Sequence, residues 1–366
     1  MYCSDLESLK FELAKFDKLA SARSILLFAA DKGHPNKEDL ESVLNVFSKP
    51  LMGGVFPEII ADGVRREQGF LIMPLCHELK TVCLDLKKGI PEIGRTIIDH
   101  AESNPIDNPG IFCFTDALAP NKTSMIDLLY DAWGPFANYV GGGAGSLSFK
   151  PTPCIFHGHH VCENAAVLGV LDADIKVGVA HGWTAISKPI KVTETDGNSV
   201  VSLDWEPAFD VYSEQIKLHS GMDLSKDNFF DLAKTYPLGL ERLDSEKIIR
   251  DPYATDHGRL HIVDHVPEGQ YIRIMNGDID SLLNGAKIAL ASSDSELEIE
   301  ATEQFCVDCI SRVLYMQEEF DRELALLNGM KPMDGVLSIG EIANSGENVL
   351  ELYNKTVVVA KWNKTR

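Results

Sequence analysis

Two passages of this chain share one form, and that form limits the possible folds more than any other feature. In the first, the apolar run SILLFAAD (24–31) leads through a short helical stretch to LMGGV (51–55); in the second, GIFCFTD (110–116) leads through another to YVGGGAG (139–145). Continuous apolar runs without polar alternation read as strands buried on both faces, which requires a sheet covered by helices. The recurrence reads as a duplicated α/β unit. A chain of 366 residues is long for one core, so the expectation is an α/β fold (α+β as the alternative) of two domains, 1–215 and 216–366, each a mixed sheet with flanking helices.

The rest of the pattern fills in around these passages. Leu6, Leu9, Leu13 and Phe16 are spaced for an amphipathic helix over 5–19, with Ser4 or Asp5 as its cap. Helices are also expected over 38–47, 91–100, 122–136, 227–234 and 278–291, and strands over 69–75, 259–263 and 270–275. Gly53 and Gly54 read as a break in a strand, and the glycines from Gly141 to Gly145 as a turn or a place where something approaches the backbone closely. VTETDGNSVVSLD predicts a hairpin turning at Asp196, Gly197 and Asn198, and 165–183 a second hairpin turning at 172–174. The stretch 301–329 reads as a long helix stopped by Gly329 and Pro332, and the chain closes on strands around a turn at Gly346.

Charge excludes some functions. Thirty-four basic residues against 55 acidic ones give a net charge of −21, which repels nucleic acid and anionic membrane surfaces. No apolar stretch approaches the length of a membrane span and MYCSDLESLKFELAKF lacks the layout of a leader, so the expected location is the cytoplasm. The eight scattered cysteines then read mostly as buried thiols, with Cys306 and Cys309 on one face of the long helix.

Chemistry-bearing residues concentrate in two places. IFHGHHVCEN (155–164) carries His157, His159 and His160, with His157 and His159 on one face if the segment is a strand, and HGW (181–183) adds His181. No Walker loop, dinucleotide fingerprint, G-x-S-x-G elbow or H-E-x-x-H motif occurs, so catalysis by a hydrolase-like or redox enzyme is the weaker reading. Near the C-terminus Arg312, Glu341, Asn354 and Thr356 sit among apolar neighbours. A buried arginine cannot give up its charge and must find an acceptor. Either Glu341 is that acceptor in an internal ion pair, or Arg312 grips a ligand carboxylate or haem propionate.

CVDCISRVLYMQEEF, GVLSIGEIANSG and LYNKTVVV resemble the C-terminal half of the FIST family of sensor proteins; YVGGGAGS, FHGHH, HGW and VTETDGNSVVSLDWEPAFDVY resemble its N-terminal half. The resemblance implies a small-ligand input module for signal transduction, of the kind that stands alone beside a separate histidine kinase or cyclic-di-GMP enzyme, with a homodimer as one possible assembly. One branch of the family implies haem and nitric oxide sensing, with His181 and then His157 as the axial candidates; another implies amino acids or other small organic ligands. The expected ligand-binding residues are Gly142, Gly143, Gly145, Arg312, Glu341, Asn354 and Thr356, with a pocket at or near the junction of the two halves.

Overall fold

The strand, helix and glycine form occurs three times among the described residues, not twice. The structure, a computed structural model, describes residues 1–241, 247–294, 302–329, 331–344 and 349–364. The first unit comprises β1 (Tyr2–Cys3), α1 (Leu6–Lys18), β2 (Ser24–Ala30), α2 (Lys37–Leu44), β3 (Leu51–Phe56), the hairpin of β4 (Glu58–Ala61) and β5 (Val64–Arg66), and β6 (Phe70–Leu75). The second repeats that order as β7 (Lys80–Asp85), α3 (Ile90–Ser103), β8 (Gly110–Asp116), α4 (Lys122–Trp133), β9 (Asn138–Ala144), the hairpin of β10 (Ile155–His157) and β11 (His160–Cys162), and β12 (Ala165–Leu171).

The third unit opens with β13 (Lys176–Ala180) and is then interrupted by an insertion. The insertion runs through β14 (Thr184–Ala185), β15 (Ile190–Asp196), β16 (Ser199–Leu203), β17 (Glu206–Pro207), α5 (Ala208–Ser220) and α6 (Phe229–Ala233). It continues with β18 (Leu238–Leu240), β19 (Ile248–Arg250), β20 (Pro252–Asp256), β21 (Arg259–Ile262) and β22 (Tyr271–Asn276). The unit then resumes as α7 (Ile279–Ser292), β23 (Thr302–Cys309), α8 (Ile310–Met316), α9 (Phe320–Asn328), β24 (Asp334–Ser338), the hairpin of β25 (Glu341–Ala343) and β26 (Glu351–Tyr353), and β27 (Val357–Asn363).

No unit completes its own sheet. The strand orders are β1-β6-β2-β3-β10-β11, β7-β12-β8-β9-β25-β26 and β13-β27-β23-β24-β4-β5, with an insertion sheet built around β18-β22-β15-β16-β21. In each of the three unit sheets one central pair is parallel, β2 with β3, β8 with β9 and β23 with β24. Each unit passes its hairpin to a neighbour: β4–β5 joins the third sheet, β10–β11 the first, and β25–β26 the second. Strands from both sides of residue 215 therefore share sheets.

The glycines explain how the sheets come so close. A Cβ on Gly53 would lie 1.8 Å from Leu27 O, one on Gly141 1.7 Å from Cys113 O, and one on Gly335 2.3 Å from Cys306 O. These are the same register position in the three parallel pairs. At their meeting point Phe28 of the first sheet, Phe114 of the second and Phe305 of the third form one aromatic cluster, with ring centroids 5.0 Å (Phe28 to Phe114) and 5.1 Å (Phe28 to Phe305) apart. Phe112 and Trp362 extend it at 5.4 Å.

Several expectations change. Gly53, Gly54 and the glycines of 141–143 lie inside strands rather than in breaks or turns, because a neighbouring backbone occupies the space a side chain would need. The run 165–183 is not a hairpin: β12 belongs to the second sheet and β13 to the third, so the turn between them is a crossing from one unit to the next. The segment expected as one long helix begins instead as β23 and becomes helical only from Ile310, which places Cys306 in a strand and Cys309 at its end. The 190–203 hairpin and the capping of α1 are as expected; the Asp5 carboxylate accepts the Ser8 N–H at 2.8 Å. The Gly346 turn lies outside the described residues.

Candidate functional site

The insertion enters and leaves the third unit through a narrow root. β13 ends at Ala180, and the chain turns outward at Gly182, whose φ of +82° is one that side chains rarely adopt. A Cβ there would sit 2.3 Å from Ser281 O, and one on Gly285 would sit 2.7 Å from Gly182 N. The outgoing strand and the returning helix α7 are thus packed backbone to backbone. Asp278 and Ser281 close a capping box at the start of α7, which fixes where the chain re-enters.

Arg312 holds both stems of this root. Its Nη1 donates to His181 O at 2.7 Å and its Nη2 to Leu282 O at 3.1 Å, so one guanidinium bonds the chain just before the insertion and just after it. Arg312 is fully buried, as are its acidic partners. Nε donates to Glu323 Oε1 at 3.1 Å, Nη2 to Glu323 Oε2 at 2.5 Å, and the Asp308 carboxylate lies 3.2 Å from Nε. Burial works against the guanidinium's charge, but Glu323 and Asp308 more than offset it and hold its pKa above the ordinary value. Burial, with the neighbouring Glu323, pushes the Asp308 carboxyl well above the usual range, so a single cation faces two buried acids.

Glu341 is not the partner of Arg312. Its Oε1 accepts from Ser338 Oγ at 2.8 Å and its Oε2 from the Thr356 N–H at 3.2 Å, and burial raises its pKa to about 8. Glu323 takes the expected place because the break between α8 and α9 folds it back onto Arg312. Thr356 Oγ1 donates to Asn354 O at 2.9 Å. Gly142 and Gly143 face protein: the Gly143 N–H bonds Gly340 O at 2.8 Å, and a Cβ on Gly143 would lie 2.1 Å from Ile339 O. Gly145, at φ +137°, bonds Val55 O through its N–H at 2.8 Å.

The histidines are dispersed. His181 is buried in the root, with its Nδ1 accepting the Trp183 N–H at 2.8 Å. His157 is half-buried on β10 opposite His160, and burial lowers its pKa. His159 occupies the hairpin turn rather than sharing a strand face with His157, and its Nε2–H donates to Phe47 O at 2.9 Å. His261 ends up beside Ser199, and His265 lies past the end of β21. Among the described residues no group of three or more His, Cys, Asp or Glu is arranged to hold a metal ion.

A second polar cluster lies where the insertion meets the second sheet and its neighbours. Lys122 Nζ is 3.0 Å from Asp264, Asn354 Nδ2 donates to the other Asp264 oxygen at 3.0 Å, and Arg250 Nη1 donates to Leu352 O at 3.0 Å. Lys355 Nζ reaches Asp251 at 3.1 Å and sits 5.2 Å over the Trp183 ring. Burial tends to raise the Asp264 pKa, but Lys122 and Arg250 outweigh it and lower it. Burial raises that of Asp251, with Lys355 opposing. Two buried acceptors here, Asn354 Oδ1 and Asp251 Oδ1, receive no hydrogen bond.

A family model for the FIST N domain matches residues 23–206, and one for the FIST C domain matches residues 208–344. The chain belongs to the FIST family. FIST domains are associated with small-ligand sensing in signal transduction. An uncharacterized protein of Methanocaldococcus jannaschii is 22% identical over 285 residues, an alignment that covers 71% of this chain and 54% of the relative. The chain thus spans about half the length of that relative. The border of the two FIST models, between Glu206 and Ala208, falls inside the insertion, so the N and C domains of the family description both contribute to the insertion and to its root.

Sequence reasoning singled out Arg312, His181, Glu341, Asn354 and Thr356; the structure joins Arg312 to His181 at the root, Glu341 to Thr356 in a separate buried group, and Asn354 to Asp264 in the seam. It missed Asp308, Glu323, Lys122, Asp251, Asp264 and Lys355. The spacing of Asp308 and Arg312 was one usable signal, and a lysine beside Asn354 inside LYNKTVVV was another. Lys122 and Asp264 are 142 positions apart in sequence and carried none.

Proposed function

We propose that this FIST protein is the input module of a signalling system and senses a small organic ligand bearing a hydrogen-bond-donating cationic group, such as an amine or amino acid. The ligand enters the seam between the insertion and the second sheet. The observation that carries this reading is the pair of buried, unsatisfied oxygens, Asn354 Oδ1 and Asp251 Oδ1, in a seam otherwise closed by charged side chains. Buried acceptors without donors are costly, and a ligand ammonium supplies the missing donors. Lys122 and Arg250 offer cations to a ligand carboxylate on the same seam. Binding changes how the insertion sits, and the Arg312 root passes that change to α7, α8 and β23. The recipient is a separate histidine kinase or cyclic-di-GMP enzyme, and the protein acts without catalysis of its own.

The haem and nitric oxide version makes a different demand. A haem needs an apolar slot beside its axial histidine. The surroundings of His181 are backbone-close on the Gly182 and Gly285 side, and a surface cleft of about 600 Å³ is lined by Arg23, His77, Lys80 and Lys364 instead. Haem at His181 therefore requires the insertion to swing off its root. Calorimetry and thermal-shift screening with amino acids and amines test the organic-ligand reading: saturable stabilisation that Asn354→Ala abolishes supports it, and no response across the set overturns it. Haem titration read at the Soret band, repeated with His181→Ala and His157→Ala, tests the other.

A further inference from the structure

We propose that the cleft where chain ends of the three units meet is a binding site for a small polyanion, a molecule carrying two or more carboxylate or phosphate groups. The cleft, of about 600 Å³, takes Arg23 from just before β2, His77 from the link between β6 and β7, and Lys80 from the start of β7. Asp172 comes from the crossing between β12 and β13, and Lys364 from just past β27. Acids outnumber bases by 55 to 34 in the whole chain, yet here Arg23, Lys80 and Lys364 face only two lining acids, Glu78 and Asp172. The neighbouring cleft of about 810 Å³, which shares Asp172, keeps the acidic balance, with Asp107, Asp172 and Asp174 against Lys176 alone. At physiological salt, exposed charges more than about 8 Å away are largely screened. The cations lining the cleft, and not the net charge of −21, therefore set the field that an entering anion meets.

The pairing inside the cleft leaves donors over. Glu78 is shared: its Oε2 accepts from Arg23 Nη2 at 2.9 Å and its Oε1 from Lys80 Nζ at 2.6 Å, so one carboxylate stands between two cations. It cannot neutralise both. Arg23 Nε and Nη1 meet no acceptor among the described residues, and Lys364 Nζ lies 3.8 Å from Glu303, too far for a hydrogen bond. A guanidinium with N–H groups to spare takes an oxyanion, and the two ammonium groups add point charges beside it. The walls that carry these cations are fixed in advance. His77 is 8% exposed; its carbonyl accepts from Ser24 Oγ at 2.6 Å and its Nε2–H donates to Asn363 O at 3.0 Å, which ties β2 and the end of β27 to the link between them. That leaves Nδ1 of the neutral ring as an acceptor for a ligand hydroxyl. On the α3 side, His100 Nε2–H donates to Lys80 O at 3.1 Å and Asn104 Nδ2 to His100 O at 2.9 Å. Fixed walls lower the ordering cost of binding. A polyanion bridging Arg23, Lys80 and Lys364 joins the first, second and third units, and so stabilises the whole scaffold.

The test uses the full chain and two probes, citrate for carboxylates and inorganic pyrophosphate for phosphates, each against sodium chloride at matched ionic strength. Cys76 lines the cleft and is exposed, so its alkylation by iodoacetamide, followed by peptide mass spectrometry, reports occupancy at the site itself. At a probe concentration about ten times the dissociation constant, the Cys76 rate is expected to fall about tenfold while the thermal midpoint rises. Protection by citrate alone assigns the site to carboxylates, by pyrophosphate alone to phosphates, and by both to either group. Lys364→Glu and Arg23→Gln are each expected to raise the probe concentration needed by about tenfold or more, as loss of a charge-assisted hydrogen bond does. Circular dichroism confirms that each is folded, and one serves if the other is not. The proposal is overturned if neither probe protects Cys76 beyond the chloride control, or if both variants are protected as well as the parent. The cleft shares no residue with Lys122, Asp251, Asp264 and Asn354 of the seam. Asn354→Ala is therefore expected to leave the protection unchanged, and an equal loss in that variant would place the polyanion in the seam and overturn the proposal.

Discussion

The aromatic junction of the three sheets and the root of the insertion are both fully buried, yet they are built on opposite principles. At the junction, Phe28, Phe114 and Phe305 meet with no polar group among them, and equivalent glycines in each parallel pair bring the strands close. At the root, one guanidinium satisfies two backbone carbonyls and the Glu323 carboxylate, with a second buried acid, Asp308, 3.2 Å away. Apolar packing is non-directional and tolerates small shifts of its members. A buried ion cluster tolerates none, because any partner lost leaves a bare charge. On the proposed function, a scaffold that stays fixed while an appended sheet changes its seating gains from having one of each.

The largest expected effect breaks the root. Arg312→Ala leaves Glu323 without its cation and should cost about 3–5 kcal/mol in urea unfolding. The double variant Arg312→Met, Glu323→Leu should recover most of that loss, because an apolar pair of similar volume replaces the ions. If the single variant is as stable as the parent, the contrast between root and junction fails. Phe305→Ala should cost a similar amount, about 3–5 kcal/mol, but no second substitution of charge type should rescue it.

A smaller effect tests the close approach of strands. Gly141→Ala drives a methyl into the Cys113 carbonyl and should cost about 1–3 kcal/mol through overpacking, measured as a fall in midpoint without change in m-value. The equivalent Gly335→Ala should behave alike, since the position repeats; unequal behaviour would argue against the threefold repeat as the cause.

The pH prediction sharpens the comparison further. Glu341 titrates near 4.5 in an unfolded chain and at about 8 when folded. The native state thus binds the proton more tightly, and this contribution to stability is complete below about pH 4.5 and is lost as the pH rises towards 8. Asp308, also raised, acts in the same direction. Glu341→Gln should flatten the fall in stability between pH 5 and pH 8, read as midpoints at half-unit intervals, and an unchanged slope would remove Glu341 from the account. Lys122→Ala, which leaves the buried Asp264 with the Asn354 amide and the nearby Arg250 but without its lysine, should cost about 1–3 kcal/mol in the same measurement.

Much of the fold was legible in order of appearance. The buried strands at 24–30 and 110–116, the capped helix after Asp5 and the 190–203 hairpin follow from local periodicity and turn chemistry. The third copy of the unit was not legible, because its first strand and its next helix are separated by the insertion and because β23 carries Glu303, Gln304 and Asp308 among its apolar residues. The site was half legible: a buried arginine had to find an acid, but the expected Glu341 bonds Ser338 and Thr356 instead, and Glu323 takes its place.

The sequence by itself determined the buried strands at 24–30 and 110–116, the amphipathic helices around them, and that Arg312 must be neutralised inside the molecule, since periodicity and the fixed charge of a guanidinium are properties of neighbouring residues alone. Only the tertiary structure decided which sheet each strand joins, which acid meets Arg312, and that both stems of the insertion hang on that one side chain. The sheet partners and the His181 contact join residues more than a hundred positions apart, where the exchange of hairpins between units sets who is near whom, and even the Arg312–Glu323 pair, 11 positions apart, depends on how the chain folds back between two helices.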